Sequence, residues 1–319
     1  MRNFNNSYNV FVFSLEQINE AAAKYPKEFV MSMEDKYKEE ISSVVDSILS
    51  KEYDCKVVML AGPSGSGKTT TAHMIKNELI RRGKESALIS LDDFYKGNRD
   101  TPLTEDGKFD YESIDALDVS QIKEVIHSLI NTGSCLVPKY NFSNKSPEKE
   151  KREINLSKDG IAIIEGIHAL NPILTKNLPE DKLLKIYISV KQGIVDYNGQ
   201  VFERKDIRFI RRLIRDYNHR GTDAKETFEM WDNVCRGEFL YIDPFKRTSD
   251  ITINSIHIYE PCILTHTGLS LLNSIEEDSP YFYFSRRILS GLQRFYPINP
   301  RIVPKTSLIR EFIGGGIYD

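Results

Sequence analysis

The chain has 319 residues, with 43 lysines and arginines against 46 aspartates and glutamates, which leaves a formal net charge of −3. This length can bury a full hydrophobic core and allows two domains or one large α/β domain with appendages. The nearly balanced charge argues against a nucleic acid or an anionic membrane as a partner, so any phosphate binding is expected to be local.

Cysteine usage and hydrophobicity predict a cytoplasmic protein. No two cysteines form a C-x-x-C pair, and their wide spacing favours free, buried thiols in a reducing compartment. The apolar run Val10–Phe13 is too short for a signal sequence, and no stretch approaches the roughly 18 apolar residues that a membrane span needs. The cysteines are Cys55, Cys135, Cys235 and Cys262.

Residues 1–50 are predicted to be an N-terminal extension, and residues 256–319 a C-terminal one. The N-terminal pattern allows a short strand at Tyr8–Phe13 and favours helices after it, most clearly over Met33–Leu49. The C-terminal extension is predicted to be irregular, because the alternation of strands and helices fades after about residue 256.

Between the extensions, residues 51–255 have the pattern of an α/β domain. Compact apolar segments predict buried strands, with helical segments such as Val119–Ile130 between them. This alternation indicates a parallel sheet covered on both faces. The polar and basic region Asn141–Lys158 is predicted to be a mobile loop or a hairpin over the sheet edge. The predicted strands are Val57–Ala61, Ala87–Leu91, Ile161–Ile164, Leu184–Val190 and Ile251–Ile253.

The stretch LAGPSGSGKTTT at residues 60–71 contains the spacing G-x-x-x-x-G-K-[ST]. In this arrangement backbone N–H groups wrap around the phosphates of a nucleotide. The loop follows an apolar strand and precedes a helix that Gly83 is expected to end, so the helix N-terminus is aimed at the anion. We predict that the whole phosphate loop binds the nucleotide, through Gly62, Pro63, Ser64, Gly65, Ser66, Gly67, Lys68, Thr69 and Thr70.

Two side chains of the phosphate loop have predicted roles of their own. Lys68 is a point cation placed for the β- and γ-phosphates, which makes it a candidate catalytic residue. The hydroxyl group of Thr69 suits the Mg²⁺ ion that bridges those phosphates. A complex of a nucleotide with a metal ion is therefore expected.

Acidic residues stand at the ends of two further predicted strands, where ligands gather in open α/β sheets. Asp92 follows one strand and is the candidate base that accepts the proton of an attacking hydroxyl group. Asp93 and Tyr95 beside it are candidate contacts to the acceptor, although either aspartate could instead cap the next helix. Glu165 follows another strand. It is a candidate Mg²⁺ ligand, together with Asp92, unless it is a surface residue at a turn.

The segment ERKDIRFIRRLIRDYNHRG at residues 203–221 predicts an amphipathic helix. Its isoleucines form one apolar stripe, and its arginines cluster on another face. That face is either a solvated surface, a nucleic-acid contact or a lid over the transferring phosphoryl group, of which the phosphate loop favours the lid. The isoleucines are Ile207, Ile210 and Ile214, and the arginines are Arg208, Arg211, Arg212 and Arg215. Of these, Arg212 and Arg215 are the candidate catalytic residues.

Together these motifs resemble the uridine kinase and phosphoribulokinase family of P-loop kinases, and within it the uridine–cytidine kinase branch. The resemblance implies a three-layer P-loop NTPase fold of the α/β class with a mostly parallel central sheet and an arginine-bearing helical lid. It also implies ATP and Mg²⁺ as cofactors and transfer of the γ-phosphoryl group to the 5′-hydroxyl of a nucleoside. The matching stretches, within residues 55–255, are GPSGSGKTT, SLDDFY, FDYESIDALD, PKYNF, IIEGIHAL, DIRFIRRLIRD…RG and DPFKRTSDITI.

By matching position, Asp92 resembles the catalytic aspartate of the family and Asp115 the carboxylate that holds the ribose hydroxyls. Tyr140 falls where the family places an aromatic ring against the pyrimidine. The arginines that match the substrate and lid region are Arg212, Arg215 and Arg220, and Arg208 is a further candidate contact to the substrate.

The chain departs from the uridine–cytidine kinase pattern at two positions that bear on the acceptor. Lys145 stands where the branch has a histidine that reads the pyrimidine edge, and Thr222 stands where it has an arginine. The segment SLIREFIGGG at 307–316 resembles a bacterial subgroup with tails of this kind.

Two rival hypotheses remain open at the level of sequence. One keeps the kinase chemistry but changes the acceptor to a sugar phosphate or another hydroxylated metabolite. The other is a nucleotide-dependent regulatory or binding module with a partner docked on an extension. A GTPase is disfavoured because no N-K-x-D-type segment follows the core. The expected partner is a small hydroxylated metabolite, and a homo-oligomer is compatible with the sequence.

Overall fold

The computed structural model describes residues 14–50, 54–97, 100–105, 107–142 and 144–318, so the strand predicted at Tyr8–Phe13 lies outside the described residues. The strands are β1 (Val57–Ala61), β2 (Ser86–Ser90), β3 (Ser134–Val137), β4 (Tyr140–Asn141), β5 (Ser146–Pro147), β6 (Arg152–Asn155), β7 (Ile161–Glu165), β8 (Leu183–Ser189), β9 (Ile194–Asp196), β10 (Gly199–Phe202) and β11 (Ile251–Asn254). The helices are α1 (Leu15–Lys24), α2 (Pro26–Ile48), α3 (Lys68–Arg81), α4 (Val119–Thr132), α5 (Pro172–Thr175), α6 (Arg204–Arg220), α7 (Ala224–Gly237), α8 (Glu260–Asn273), α9 (Phe282–Leu292) and α10 (Arg310–Ile313).

A five-stranded parallel sheet with the order β11-β8-β1-β7-β2 forms the middle layer. Its central strand β1 is buried along its whole length. Alternate side chains of β1 enter different hydrophobic clusters: Val58 and Leu60 pack with α3 and α6, whereas Val57 and Met59 pack with α4. This is the alternation expected of a strand covered on both faces. The predicted three-layer α/β fold is therefore confirmed, and each of the five predicted strands lies in the sheet.

The polar region after β3 forms a hairpin, which was one of the two predicted alternatives. Strand β4 pairs with β5, and β6 returns to pair antiparallel with β3. The Arg152 side chain then donates a hydrogen bond to the carbonyl oxygen of Leu88 on the edge strand β2, at 2.9 Å. The hairpin consequently covers part of the unpaired edge of the sheet.

The C-terminal extension is helical, so the prediction of an irregular tail is wrong. Helix α8 buries apolar side chains on most of its surface because it packs between α6 and α9. A helix covered on several sides lacks the one-sided period of 3.6 residues by which helices are recognised in a sequence. Its Pro261 occupies the first turn, where a missing N–H group is tolerated.

Both extensions share one hydrophobic cluster with the α/β core. This cluster joins Ile41 and Val45 of α2, Ile75 of α3, Ile210 of α6 and Phe312 of α10. Polar contacts reinforce it at the carboxylate of Glu34, which is 1% exposed and accepts hydrogen bonds from Tyr259 (2.5 Å) and Ser307 (2.7 Å). The division into three segments remains a prediction, but in the described structure the segments are packed into one core.

All four cysteines are free, as predicted, and Cys235 is half-buried where the other three are buried. Across the described residues, none of the helices combines the length and the apolar character needed to cross a membrane.

Candidate active site

The phosphate loop, residues 62–70, connects β1 to α3 as predicted. Gly67 is the N-cap of α3 and has φ of 82°, in the left-handed region that favours glycine. A Cβ atom on Gly67 would lie 2.5 Å from Leu308 Cδ1, and one on Gly62 would lie 2.4 Å from the carbonyl oxygen of Ile188. Gly65 also has a positive φ, of 74°, so the loop needs glycine for its backbone conformation at Gly65 and Gly67 and for close packing at Gly62 and Gly67.

Arginine side chains from α6 hold the phosphate loop. Arg211 Nη1 donates to the carbonyl oxygen of Gly65 at 3.1 Å, and Arg212 Nη1 donates to Ser64 Oγ at 2.8 Å. Arg211 itself is fully buried and forms a bidentate pair with Glu260, with distances of 2.5 and 2.8 Å. Sequence reasoning missed Glu260, because its position in the C-terminal extension gives no sign of a partner 49 residues away.

The expectation that four arginines project together from one face of α6 is wrong. Arg208 pairs with Glu238 at 2.5 Å and Arg211 pairs with Glu260, and both arginines are almost inaccessible to solvent. Helix α6 is buried on several sides, and a buried charge needs a partner of opposite charge. Arg208 and Arg211 therefore point to different carboxylates, away from the remaining arginines of the helix. The alternative prediction of a solvated arginine face is also wrong for Arg208 and Arg211, because both side chains are buried. A contact of Arg208 with substrate remains a prediction.

The other arginines converge on one buried carboxylate. Asp216 is fully buried and pairs with Arg212 at 3.1 Å, Arg215 at 2.7 Å and Arg220 at 3.5 Å. Three guanidinium groups around a single carboxylate leave an excess of positive charge. Because Arg212 also contacts Ser64, this excess lies beside the phosphate loop. The arrangement suits the stabilisation of negative charge on a transferring phosphoryl group.

A second group of charged residues lies at the carboxyl ends of the central strands. Glu165 ends β7, and its Oε1 accepts a hydrogen bond from Ser90 at 2.9 Å and from Thr69 at 3.4 Å. Burial raises the pKa of Glu165 to about 7, the positive charge of Lys68 opposes that shift, and the charge of Asp92 adds to it. The side chains of Lys68, Asp92 and Glu165 are therefore near one another, as parallel strands predict.

The residues beside Thr69 fit a magnesium ion. Glu165 Oε2 is buried and has no hydrogen-bond partner among the described residues, and the other oxygen of the same carboxylate, Oε1, accepts a hydrogen bond from Thr69 at 3.4 Å. A carboxylate and a hydroxyl oxygen are hard ligands of the type that Mg²⁺ prefers. The described residues contain no group of three or more histidine, cysteine or acidic side chains that could hold a metal ion. This donor set suits Mg²⁺, which takes one or two carboxylates and completes its shell with phosphates and water.

Asp92 and Asp93 occupy the short turn Leu91–Phe94 after β2, where Ser90 Oγ accepts from the Asp92 amide at 3.3 Å. Neither aspartate caps a following α-helix, because this turn leads into an extended segment.

Glu112 is a further carboxylate that interacts with the charges of Lys68 and Asp92. Burial raises the pKa of Glu112 to about 7, against the charges of Arg212 and Lys68 and with a contribution from Asp92. Sequence reasoning missed Glu112, which lies within the segment FDYESIDALD but matched no assigned position.

Aromatic side chains line the space beside the two aspartates, and we call this set the aromatic wall. Tyr95 and Tyr140 have ring centroids 5.6 Å apart, and Tyr140 and Phe142 have centroids 5.1 Å apart. Tyr140 is buried, but its hydroxyl group has no hydrogen-bond partner in the described part of the chain. The members of the aromatic wall are Tyr95, Phe109, Tyr111, Tyr140 and Phe142.

Two residues that bear on acceptor recognition are exposed. Asp115 is exposed in the short turn Ile114–Ala116, so its contact with ribose hydroxyls remains a prediction. Lys145 is exposed in the turn between β4 and β5 and has φ of 54°, which is uncommon for a residue other than glycine.

Residues 57–260 match the Phosphoribulokinase / Uridine kinase family. The chain belongs to this family. It is 29% identical to a uridine kinase of Lactobacillus helveticus over 198 residues, which cover 62% of this chain and 85% of that protein. It is 31% identical to a uridine kinase of Anoxybacillus flavithermus over 198 residues, again 62% of this chain and 84% of that protein.

Solved structures also resemble the chain. One is described as a possible uridine kinase from Bacillus stearothermophilus, with a TM-score of 0.46 and 17% identity, and the match covers 68% of this chain and 99% of that one. Another is phosphoribulokinase from Rhodobacter spheroides, with a TM-score of 0.41 and 15% identity, covering 66% and 75% of the two chains. The family membership, with the geometry above, makes the protein a P-loop kinase that transfers a phosphoryl group from ATP to an alcohol.

Proposed function

We propose that the protein is a magnesium-dependent nucleoside kinase, which transfers the γ-phosphoryl group of ATP to the 5′-hydroxyl of uridine or cytidine. The observation that carries the acceptor is the aromatic wall beside Asp92 and Asp93. Aromatic rings packed edge to face or tilted against one another favour a flat, conjugated ligand over a sugar phosphate, which has no ring face to offer. The relatives from Lactobacillus helveticus and Anoxybacillus flavithermus are uridine kinases, which agrees with such an acceptor.

Each residue around the reacting atoms has a different role in the transfer of the phosphoryl group. As the 5′-oxygen bonds to the terminal phosphorus, its proton passes to Asp92 and ADP leaves with the electrons of the broken P–O bond. Lys68 and the N–H groups of the phosphate loop hold the phosphates, and Arg212 and Arg215 stabilise charge that develops on the transferring group. Thr69, Glu165 and Asp92 would hold Mg²⁺, which would supply positive charge that neutralises the phosphates of the nucleotide.

Recognition of the base is assigned to the aromatic wall. The ring of Tyr140 offers a stacking surface, and its unpartnered hydroxyl group offers a hydrogen bond to a polar edge of the pyrimidine. A buried hydroxyl without a partner costs free energy, so a ligand that supplies the bond is favoured. Tyr95 is fixed behind this ring by its hydrogen bond to the carbonyl oxygen of Tyr111, at 3.0 Å.

The test is ADP release with ATP and Mg²⁺ across uridine, cytidine, adenosine, guanosine and a set of sugar phosphates. Turnover is expected with a pyrimidine nucleoside. Tyr140→Phe should raise the KM of that nucleoside roughly threefold to tenfold with little effect on kcat, because one neutral hydrogen bond is lost. Tyr197→Phe is the matched control, since Tyr197 is 85% exposed. Turnover with a sugar phosphate alone would reject the nucleoside assignment.

A further inference from the structure

The phosphate loop already holds a carboxylate that belongs to the chain itself. The backbone N–H of Thr70 donates a hydrogen bond to Glu311 Oε2 at 3.1 Å, across 241 residues of sequence. Thr70 is the third residue of α3, so its N–H group is one of those left without an intrahelical partner. These groups and the positive end of the helix dipole are what a P-loop offers to phosphate. The Glu311 carboxylate thus occupies a hydrogen-bond donor, the Thr70 N–H group, that a nucleotide phosphate would use.

The backbone that carries Glu311 is firmly packed. Leu308, Ile309 and Phe312 are fully buried, and the Leu308 side chain lies against Gly67 of the phosphate loop. The ring of Phe312 lies 5.1 Å from the guanidinium group of Arg211, which itself supports the loop. Detachment of the whole segment would expose this apolar surface and is therefore costly.

Farther along, the segment docks on α3 itself. The ring of Tyr318 stacks on His73 with centroids 5.0 Å apart, and its hydroxyl group accepts a hydrogen bond from Asn77 at 3.0 Å. The segment 307–318 is therefore in contact with α3 on both sides of Glu311. Glu311 itself is only partly buried and its side chain has several rotatable bonds. Its carboxylate can leave the Thr70 amide by rotation while the backbone stays in place.

We propose that Glu311 is an intramolecular competitor of the donor's phosphates, which holds the Thr70 amide in the free enzyme and is displaced when ATP binds. The proposal rests on the proposed function only in taking the phosphate loop as the site that binds the phosphates of ATP. A negative charge and a phosphate group cannot share one N–H group, so each must exclude the other. The apparent affinity for a donor is then reduced in proportion to the fraction of molecules in which the carboxylate has moved away.

The experiment compares binding to the wild type, Glu311→Gln and Glu311→Asp by titration calorimetry, with ATP, pyrophosphate and adenosine as probes. Glu311→Gln is expected to tighten the binding of ATP and pyrophosphate about tenfold, because a charge-assisted hydrogen bond no longer opposes them. Adenosine carries no phosphate, so its affinity should stay the same. Glu311→Asp retains the charge but is one methylene shorter, so it should also tighten binding if direct contact with Thr70 matters.

Asp278→Asn is the matched control, since it removes the same charge from an exposed loop between α8 and α9. Melting temperatures supply a second readout: without ligand, Glu311→Gln should melt below the wild type, because a helix N-terminus loses its anion. Equal affinity of the wild type and Glu311→Gln for ATP would overturn the proposal, and so would an equal gain in adenosine binding. Failure of pyrophosphate and ATP to bind either protein would overturn it as well. Donor binding without transfer to any nucleoside would instead reject the proposed acceptor alone.

Discussion

Arg211 Nη1 donates a hydrogen bond to the carbonyl oxygen of Gly65 at 3.1 Å, which joins α6 directly to the phosphate loop. The same guanidinium group is paired with the fully buried carboxylate of Glu260. Arg211→Met should destabilise the fold by about 3–5 kcal/mol, because the mutation leaves Glu260 buried without a compensating charge. Urea unfolding at neutral pH measures this loss.

Two further variants separate the ion pair from general damage to α6. In the double variant Arg211→Met with Glu260→Leu, most of the stability should return, since no unpaired charge remains. Arg204→Met, at an exposed position of the same helix, should change the free energy of unfolding little. A double variant no more stable than Arg211→Met would contradict the charge argument.

Asp92→Asn should lower kcat by about 10²- to 10⁴-fold, because the amide cannot accept the proton of the acceptor hydroxyl. The dissociation constant for ATP should change far less, which calorimetry can measure beside steady-state turnover. Asp100→Asn, an exposed aspartate beyond the same turn, is the control. Retention of full turnover by Asp92→Asn would remove this carboxylate from the chemistry.

Arg212→Ala and Arg215→Ala should each lower kcat by tenfold or more, which corresponds to about 1.4 kcal/mol of lost stabilisation of the transition state. Each variant leaves Asp216 with two of its three arginine partners, so the fold is expected to survive. Lys205→Ala, at an exposed position of α6, provides a comparison with the same loss of charge. Normal turnover in both arginine variants would argue against a catalytic role.

The free energy of unfolding should depend on pH partly through the protonation of Glu40. Burial raises the pKa of Glu40 to about 7, against the hydrogen bond that its carboxylate accepts from the Asn254 amide. The folded state therefore binds this proton more tightly than the unfolded state, and the free energy of unfolding falls as pH rises from about 4.5 to about 7. Glu40→Gln should remove the part of this fall that Glu40 contributes and gain up to ~3 kcal/mol relative to the wild type above pH 7. Glu112 and Glu165, whose pKa values burial also raises to about 7, titrate in both proteins.

Urea unfolding of the wild type and Glu40→Gln at pH 4.5, 6 and 8 measures the effect. The neighbouring exposed variant Glu39→Gln should follow the wild type. If the difference between Glu40→Gln and the wild type were the same at all three pH values, the titration of Glu40 would not be its cause.

The elements that sequence predicted well are those with a strong local signal. The strand Val57–Ala61, the glycine loop and the helix that ends before Gly83 follow from apolar runs, backbone requirements and capping, all of which act within a few residues. The position of Glu165 at the end of its strand followed from the rule that parallel strands gather ligands at their carboxyl ends. Local signals were therefore sufficient to place the phosphate loop between β1 and α3 and Glu165 at the end of β7.

The contacts that sequence missed join distant parts of the chain. Thr70 and Glu311 are 241 residues apart, and neither residue type reveals the other as its partner. The arginines of α6 show the same limit, because their spacing placed them on one face but could not assign each to Glu238, Glu260 or Asp216. Helix α8 was missed for a related reason, since its neighbours on several sides removed the periodicity that predicts helices.

The hydrophobic cluster that spans α2, α6 and α10 limits how far this enzyme can be dissected. A fragment trimmed to residues 57–260 would keep the motifs of its family but strip the cover from α3 and α6, and such bared apolar surface promotes aggregation. We therefore expect residues 57–260 to be less soluble and less stable on their own than the full chain. A mutation that weakens the packing of a flanking helix should therefore alter the phosphate loop, even when the mutated residue is far from the nucleotide.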